Sequence, residues 1–478
     1  MKRAKRLYAL LGVLVVVCAA TFAVMQFEEK KEKIKNSGEI ILELSSDTVQ
    51  SLSWEYEDTS LSFHKDETWL YDGDEAFPVD EEKIHELLEP FESFGVSFII
   101  EDVEDYGMYG LDDPVCTIQL ETADQTYEIT LGDFSNMDSE RYVSIGDGNV
   151  YLAKNDPLDQ FDAVLQDMID HDETFSYDQV SRIEFTGAEA YSISYEEDST
   201  DTYCADDVYF IRKGSQNLPL DSGRVKTYLK NLTQLKLTDY VTYNVTEEEL
   251  QSYGLDTPEL TITVDYTTED EDGKEISDTF VVSISRDPEE LAAAQEAEES
   301  EDDGEDDDDD EEEITAYARV GESQIIYKIS EYDYNNLMAA SYGDLRHREV
   351  LTADFDDVNQ VDITLEDSQY SITAEGEEED DRVRMYQEEE LEIGDFQNAL
   401  DGLCAEGTDS FTSEKPAGKK EISLTVYLNN ENYPQVKIDL YRYDGSDCLA
   451  VVDGQPFALV NRSDVVDLIE AVNAIVLN

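Results

Sequence analysis

The chain has 478 residues, enough for two to four domains. It carries 116 Asp and Glu against 33 Lys and Arg, a formal charge of -83. That excess excludes a nucleic-acid partner, whose phosphates would be repelled, and disfavours docking on an anionic lipid surface. With 29 Tyr and 17 Phe, mostly in alternating runs, the acidic body still reads as folded rather than disordered.

Residues 7–25 (LYALLGVLVVVCAATFAVM) carry no charge. At roughly 1.5 Å per residue, a helix of that length crosses a bilayer core. Lys2, Arg3, Lys5 and Arg6 precede it, while the basic residues after it are mixed with acids. The expectation is a single-pass anchor with the N-terminus cytoplasmic and the body outside the cytoplasm, so that residues 7–25 meet membrane lipid. Cleavage near Ala19, Ala20 and Ala23, or lipidation of Cys18, stays open as an alternative. Residues 1–27 are then basic flank and anchor, and 28–44 a stalk.

Beyond the stalk the chain repeats itself. The segment Asp47-Thr48-Val49-Gln50-Ser51-Leu52 resembles Asp178-Gln179-Val180-Ser181-Arg182-Ile183 and Asp356-Asp357-Val358-Asn359-Gln360-Val361. Each leads into alternating strands. Phe77-Pro78-Val79-Asp80 and Leu218-Pro219-Leu220-Asp221 each open a helix, with the Asp as N-cap. The apolar faces are Ile84, Leu87, Leu88, Phe91 and Val225, Tyr228, Leu229, Leu232. Next comes a YGLDxP turn, Tyr109 to Pro114 and Tyr253 to Pro258, followed by strands. A helix is expected over 157–168 and another over 332–340. The third copy lacks the turn and has a looser helix near 396–403. The fold class expected is α+β: a transmembrane helix, then three related units of antiparallel strands covered by helices, elongated by stacking. Their bounds are 45–175, 176–354 with an acidic insertion at 287–313, and 355–478. Within the insertion, Pro288 to Ser300 can form a helix. SEDDGEDDDDDEEE from Ser300 cannot bury anything and could attract divalent cations only loosely.

No catalytic, cofactor or metal residue stands out. His64, His85, His171 and His347 are scattered without HExxH spacing, and read as solvated or structural. There is no GxSxG, GxGxxG or P-loop. Cys116, Cys204, Cys404 and Cys448 form no CxxC, and their pairing stays open. With so many acids, no carboxylate pair is informative. Trp54, Trp69 and the Tyr-bearing strands suit core packing better than a glycan-binding face.

The quoted YGLDDP and YGLDTP turns, with Trp69 to Gly73 (WLYDG), Phe77 to Asp80 (FPVD) and the apolar N-terminus, resemble the DUF4340 family over most of residues 40–345. The resemblance implies membrane-anchored bacterial proteins of uncharacterised biochemistry, often associated with ABC-type export systems. It carries no catalytic residues. The function expected is therefore non-enzymatic: a membrane-anchored extracytoplasmic scaffold or accessory protein, with ABC transporter components as possible partners. The alternative is a cell-surface binding module for glycans or divalent cations.

Overall fold

The segments that repeat in sequence take equivalent places in three separate sheets. The computed structural model describes residues 39–476 except 102, 215, 271, 301–312 and 377–381. The first sheet contains β1 (Glu39–Leu42), β2 (Val49–Tyr56), β3 (Thr59–Lys65), β4 (Trp69–Tyr71), β5 (Phe94–Ile100), β6 (Cys116–Thr122), β7 (Thr126–Ser135), β8 (Glu140–Ser144) and β9 (Val150–Ala153). The second contains β10 (Gln179–Gly187), β11 (Ser192–Tyr195), β12 (Tyr209–Lys213), β13 (Gln216–Pro219), β14 (Tyr240–Thr242), β15 (Leu260–Glu269), β16 (Glu275–Arg286), β17 (Ala316–Val320) and β18 (Ile326–Ile329). The third contains β19 (Val358–Leu365), β20 (Ser368–Glu375), β21 (Val383–Tyr386), β22 (Glu389–Leu391), β23 (Lys420–Leu428), β24 (Gln435–Arg442), β25 (Asp447–Val452) and β26 (Gln455–Asn461).

One strand order runs through all three: β9-β8-β7-β6-β2-β3-β4, β18-β17-β16-β15-β10-β11-β12 and β26-β25-β24-β23-β19-β20-β21. Every pairing in these runs is antiparallel. The central pairing shifts register at the same place in each sheet, after Val49, Val180 and Val358. One extra residue there turns the strand, so two apolar side chains three apart both face inward. Val49 and Leu52, Val180 and Ile183, and Val358 and Val361 are accordingly all buried.

Helices cover one face of each sheet. Helix α1 (Glu81–Glu92) buries Ile84, Leu87, Leu88 and Phe91, and Asp80 caps it by accepting from the N–H groups of Glu82 and Lys83. The expected helix over 157–168 is broken into α2 (Leu158–Phe161) and a 3-10 turn at Leu165–Met168, with Val164 extended between them. Asp156 caps the start of α2 by accepting from the Leu158 N–H, and Asp167 accepts from the Val164 N–H and so caps a separate new turn. Helix α3 (Ser222–Thr233) repeats α1, with Asp221 accepting from the N–H groups of Gly223 and Arg224. Then follow α4 (Pro288–Ser300), α5 (Glu331–Met338), α6 (Tyr342–Leu345), α7 (Gly394–Asp401) and α8 (Arg462–Val476). Both YGLDxP turns end a 3-10 helix on a left-handed glycine, Gly110 (φ 68°) and Gly254 (φ 67°).

By contacts the chain divides into two compact units, one up to His171 and one from Asp172. The first holds the first sheet; the second holds the second and third sheets.

The membrane architecture is corrected. Residues 7–25 and the stalk up to 38 lie outside the described residues, and among the described residues no helix is long and apolar enough to cross a membrane. The fold class is α+β with three antiparallel sheets and no described transmembrane helix. The anchored scaffold function, the lipid partner at 7–25 and the single-pass localisation needed that helix and are set aside with it; the ABC transporter partnership, which came from the family resemblance, is set aside as well. Residues 301–312, and with them the acidic run expected to attract cations, also lie outside the described residues.

Candidate functional site

The second compact unit has one feature for which the first sheet offers no counterpart. In the first sheet β3 turns into β4 through residues 66–68, whereas in the second β11 reaches β12 through residues 196–208. This longer loop leans on the third sheet. Its Tyr203 packs against that sheet's core and meets Tyr433 edge to face at 5.6 Å. A cleft of about 920 Å³ opens beside it. One wall is the loop with edge strand β13, a second is the segment 342–352 leaving the second sheet, and the third is Tyr433, Val452 and Phe457.

The exit segment reads Leu345-Arg346-His347-Arg348-Glu349. It is pinned at one end, where the Asp221 N–H donates to the Leu345 carbonyl at 3.0 Å. At the other end Glu349 forms a bridge with Cys404, and the Val350 N–H donates to the Leu403 carbonyl. His347 Nε2 lies 2.7 Å from Asp207 Oδ1, and its Nδ1 lies 3.8 Å from Glu349 Oε2. The first is a hydrogen bond; the second is an ion contact only. Asp207 is 4% exposed, and its other oxygen accepts from Thr202 Oγ1 at 2.6 Å. Burial alone would lower the His347 pKa, but the flanking carboxylates outweigh it and push it up to about 9. His347 is therefore an imidazolium at neutral pH. The imidazolium in turn holds the Glu349 carboxyl down to about 2. Burial pushes the neighbouring Cys204 thiol up to about 11.

Arg346 is different: its guanidinium has aromatic neighbours instead of carboxylate ones. Its central carbon lies 4.1 Å from the ring centre of Phe411, 4.7 Å from Phe457 and 5.0 Å from Tyr342. Burial lowers its pKa. Among the described residues it makes no ion pair, even though 116 residues of this chain are acidic.

Could this site hold a metal? The ligand atoms of Cys204, Asp207 and His347 lie within 4.8 Å of one another, as do those of Asp221, His347 and Glu349. The Asp207 carboxylate is already engaged by the His347 ring and the Thr202 hydroxyl, and a metal would have to displace protons from both His347 and Cys204. The donors satisfy each other, so the chemistry suits a buried ion pair better than a metal centre.

Of the histidines read as structural, His347 is the one at the cleft. His64 lies on the first sheet, with Nδ1 2.5 Å from Asp72 Oδ1, and both side chains are well exposed. His85 is on the exposed face of α1. Trp54 and Trp69 are 1% and 3% exposed, which removes them as a glycan platform. Trp54 instead lies against Phe63 and Phe161, with ring centres 5.7 and 5.6 Å away. Among the described residues Cys116, Cys204, Cys404 and Cys448 are all free thiols. A signal for the cleft was present in the sequence: Arg346-His347-Arg348 is a basic run in an otherwise acidic body.

The family model described as Domain of unknown function (DUF4340) matches residues 69–208 and 212–298. The match is partial and shorter than the 40–345 expected, and no described helix supplies the membrane anchor attached to that resemblance. It stops before the exit segment and the third sheet. No curated protein and no solved structure matches the chain.

Proposed function

We propose that the second compact unit is a non-enzymatic binding module that holds a small ligand in the cleft between the 196–208 loop, the exit segment and the third sheet. The observation that carries this reading is the cleft itself. Its volume of about 920 Å³ suits a small molecule, and its walls mix aromatic rings with many polar and charged groups. The groups around it are engaged with one another: His347 is held by Asp207, and burial keeps the Cys204 thiol protonated.

The test is a ligand-observed NMR screen of a small-molecule fragment library against the full chain and its Asn217→Trp variant. Asn217 lines the cleft on the edge strand β13, so an indole there fills the space. The reading expects fragments that bind the parent chain and are lost in the variant. If no fragment distinguishes the two, the binding-module reading is wrong.

A further inference from the structure

The cleft has a chemical preference built into one wall, and this inference rests on the binding reading above. A half-buried guanidinium without a carboxylate partner is costly unless something else stabilises it. Here the rings of Tyr342, Phe411 and Phe457 do so in part, at 4.1 to 5.0 Å. Rings can stabilise the charge through their π clouds, but they cannot accept the guanidinium's in-plane N–H groups as an oxyanion can. Among the described residues no side chain or carbonyl is hydrogen-bonded to the Arg346 guanidinium, and Arg346 lines the cleft. A planar oxyanion entering the cleft would complete it.

The other charged groups around the cleft are either engaged with neighbours or exposed. Glu196 accepts from Asn217 Nδ2 at 3.1 and 3.2 Å. Glu349 and the buried Asp207 flank His347. Arg212, also lining the cleft, is exposed and forms no ion pair among the described residues. Asp201 is the remaining lining carboxylate, and it is exposed too. The lining also includes the edge-to-face Tyr203–Tyr433 pair and Val452, apolar surface that an aryl group can meet.

We propose that the cleft binds a small carboxylate, its oxyanion held edge-on by Arg346 and its aryl or apolar remainder lying against Tyr203 and Tyr433. Arg346 is the anchor because a guanidinium matches a carboxylate with two parallel N–H···O bonds. The rings packed against it limit its freedom before a ligand arrives, so less entropy is lost on binding.

The experiment is titration calorimetry at low salt on the full chain with N-acetyl-L-phenylalanine and with its amide, which keeps the shape and loses the charge. The proposal expects the acid to bind about tenfold or more tighter than the amide. Arg346→Gln should abolish that preference. Arg346→Lys keeps the charge and the ring contacts but loses the two-pronged geometry, and should retain only part of it. Melting curves of both variants establish that they are folded, and Arg346→Lys decides the matter if Arg346→Gln is not. Equal binding of acid and amide would overturn the proposal, as would an undiminished preference in a folded Arg346→Gln. Displacement of the acid by inorganic phosphate at the same concentration would also overturn it, by showing a general oxyanion site. If neither probe binds while other fragments occupy the cleft, the carboxylate inference fails and the binding module stands. If nothing binds at all, both fail.

Discussion

Two segments of this chain leave their sheets in the same way and end in different chemistry. In the first compact unit, the Asp80 N–H donates to the Met168 carbonyl at 2.9 Å; in the second, the Asp221 N–H donates to the Leu345 carbonyl at 3.0 Å. Asp80 and Asp221 are the corresponding caps of α1 and α3, so Met168 and Leu345 correspond. The next residue is Ile169 in one and Arg346 in the other. Ile169 is 2% exposed and bridges Val79. Arg346 stands in an aromatic box beside a cleft. One repeat uses the position to seal its core, the other to present a charge. The two repeats share the scaffold and differ in this residue on a shared turn and in the length of a neighbouring loop.

Swapping the two residues gives the largest expected effect. Ile169→Arg puts a charge where the structure provides no aromatic box, and should destabilise the first unit by about 3–5 kcal/mol in urea unfolding. The reciprocal Arg346→Ile should cost far less, because it removes a charge and leaves an apolar side chain among rings. If both swaps cost the same, the two positions are not chemically distinct.

The pH dependence sharpens the contrast next. His347 has a folded pKa raised to about 9 from an ordinary 6.5. Its contribution is fully present below pH 6.5 and is lost as pH rises through 9; it is worth about 2–3 kcal/mol. Glu349, lowered to about 2, acts in the opposite sense, and its contribution is lost as pH falls from 4.5 through 2. Urea midpoints measured between pH 6 and 10 should fall for the second unit. His347→Gln should flatten that fall, and an unchanged slope would mean that the Asp207 pair does not stabilise the fold.

Elements that the repeats share should respond alike. Gly110→Val and Gly254→Val each place a β-branched residue at positive φ. The added carbon would lie 2.7 Å from the Asp133 side chain in one and 2.6 Å from Ser285 Oγ in the other. Each should cost about 1–3 kcal/mol. The smallest effect is expected from the caps: Asp80→Ala and Asp221→Ala should each lose about 1 kcal/mol. A large difference between the members of either pair, read by denaturant unfolding, would show that the turns or caps are not equivalent.

Much of the fold was legible because it is local. Val49, Val180 and Val358 announce the equivalent central strands β2, β10 and β19 of the three sheets. Asp80 and Asp221, each before an apolar helical face, give the caps. The break at Val164 was not legible, since Leu158, Phe161, Leu165 and Met168 keep a helical period while Asp167 reaches back to the Val164 N–H and caps a separate turn. The cleft was hidden for another reason. Its walls come from residues 196–219, 342–352 and 433–457, and no periodicity links segments so far apart. What the sequence did offer was Arg346-His347-Arg348 in a chain of charge -83. Scattered histidines without a metal motif drew attention away from it, because the partner Asp207 lies far off in sequence. The apolar run at 7–25 was the plainest sequence signal, and it lies outside the described residues.

The most direct test of the account is a crystal structure of the full chain grown with the para-bromo derivative of N-acetyl-L-phenylalanine, located by the anomalous scattering of bromine. The account predicts a bromine peak near Tyr203 and Tyr433, with the carboxylate in the plane of the Arg346 guanidinium and two N–H···O contacts to it. A ligand whose carboxylate points to solvent, with Arg346 touching only its rings, would contradict the account.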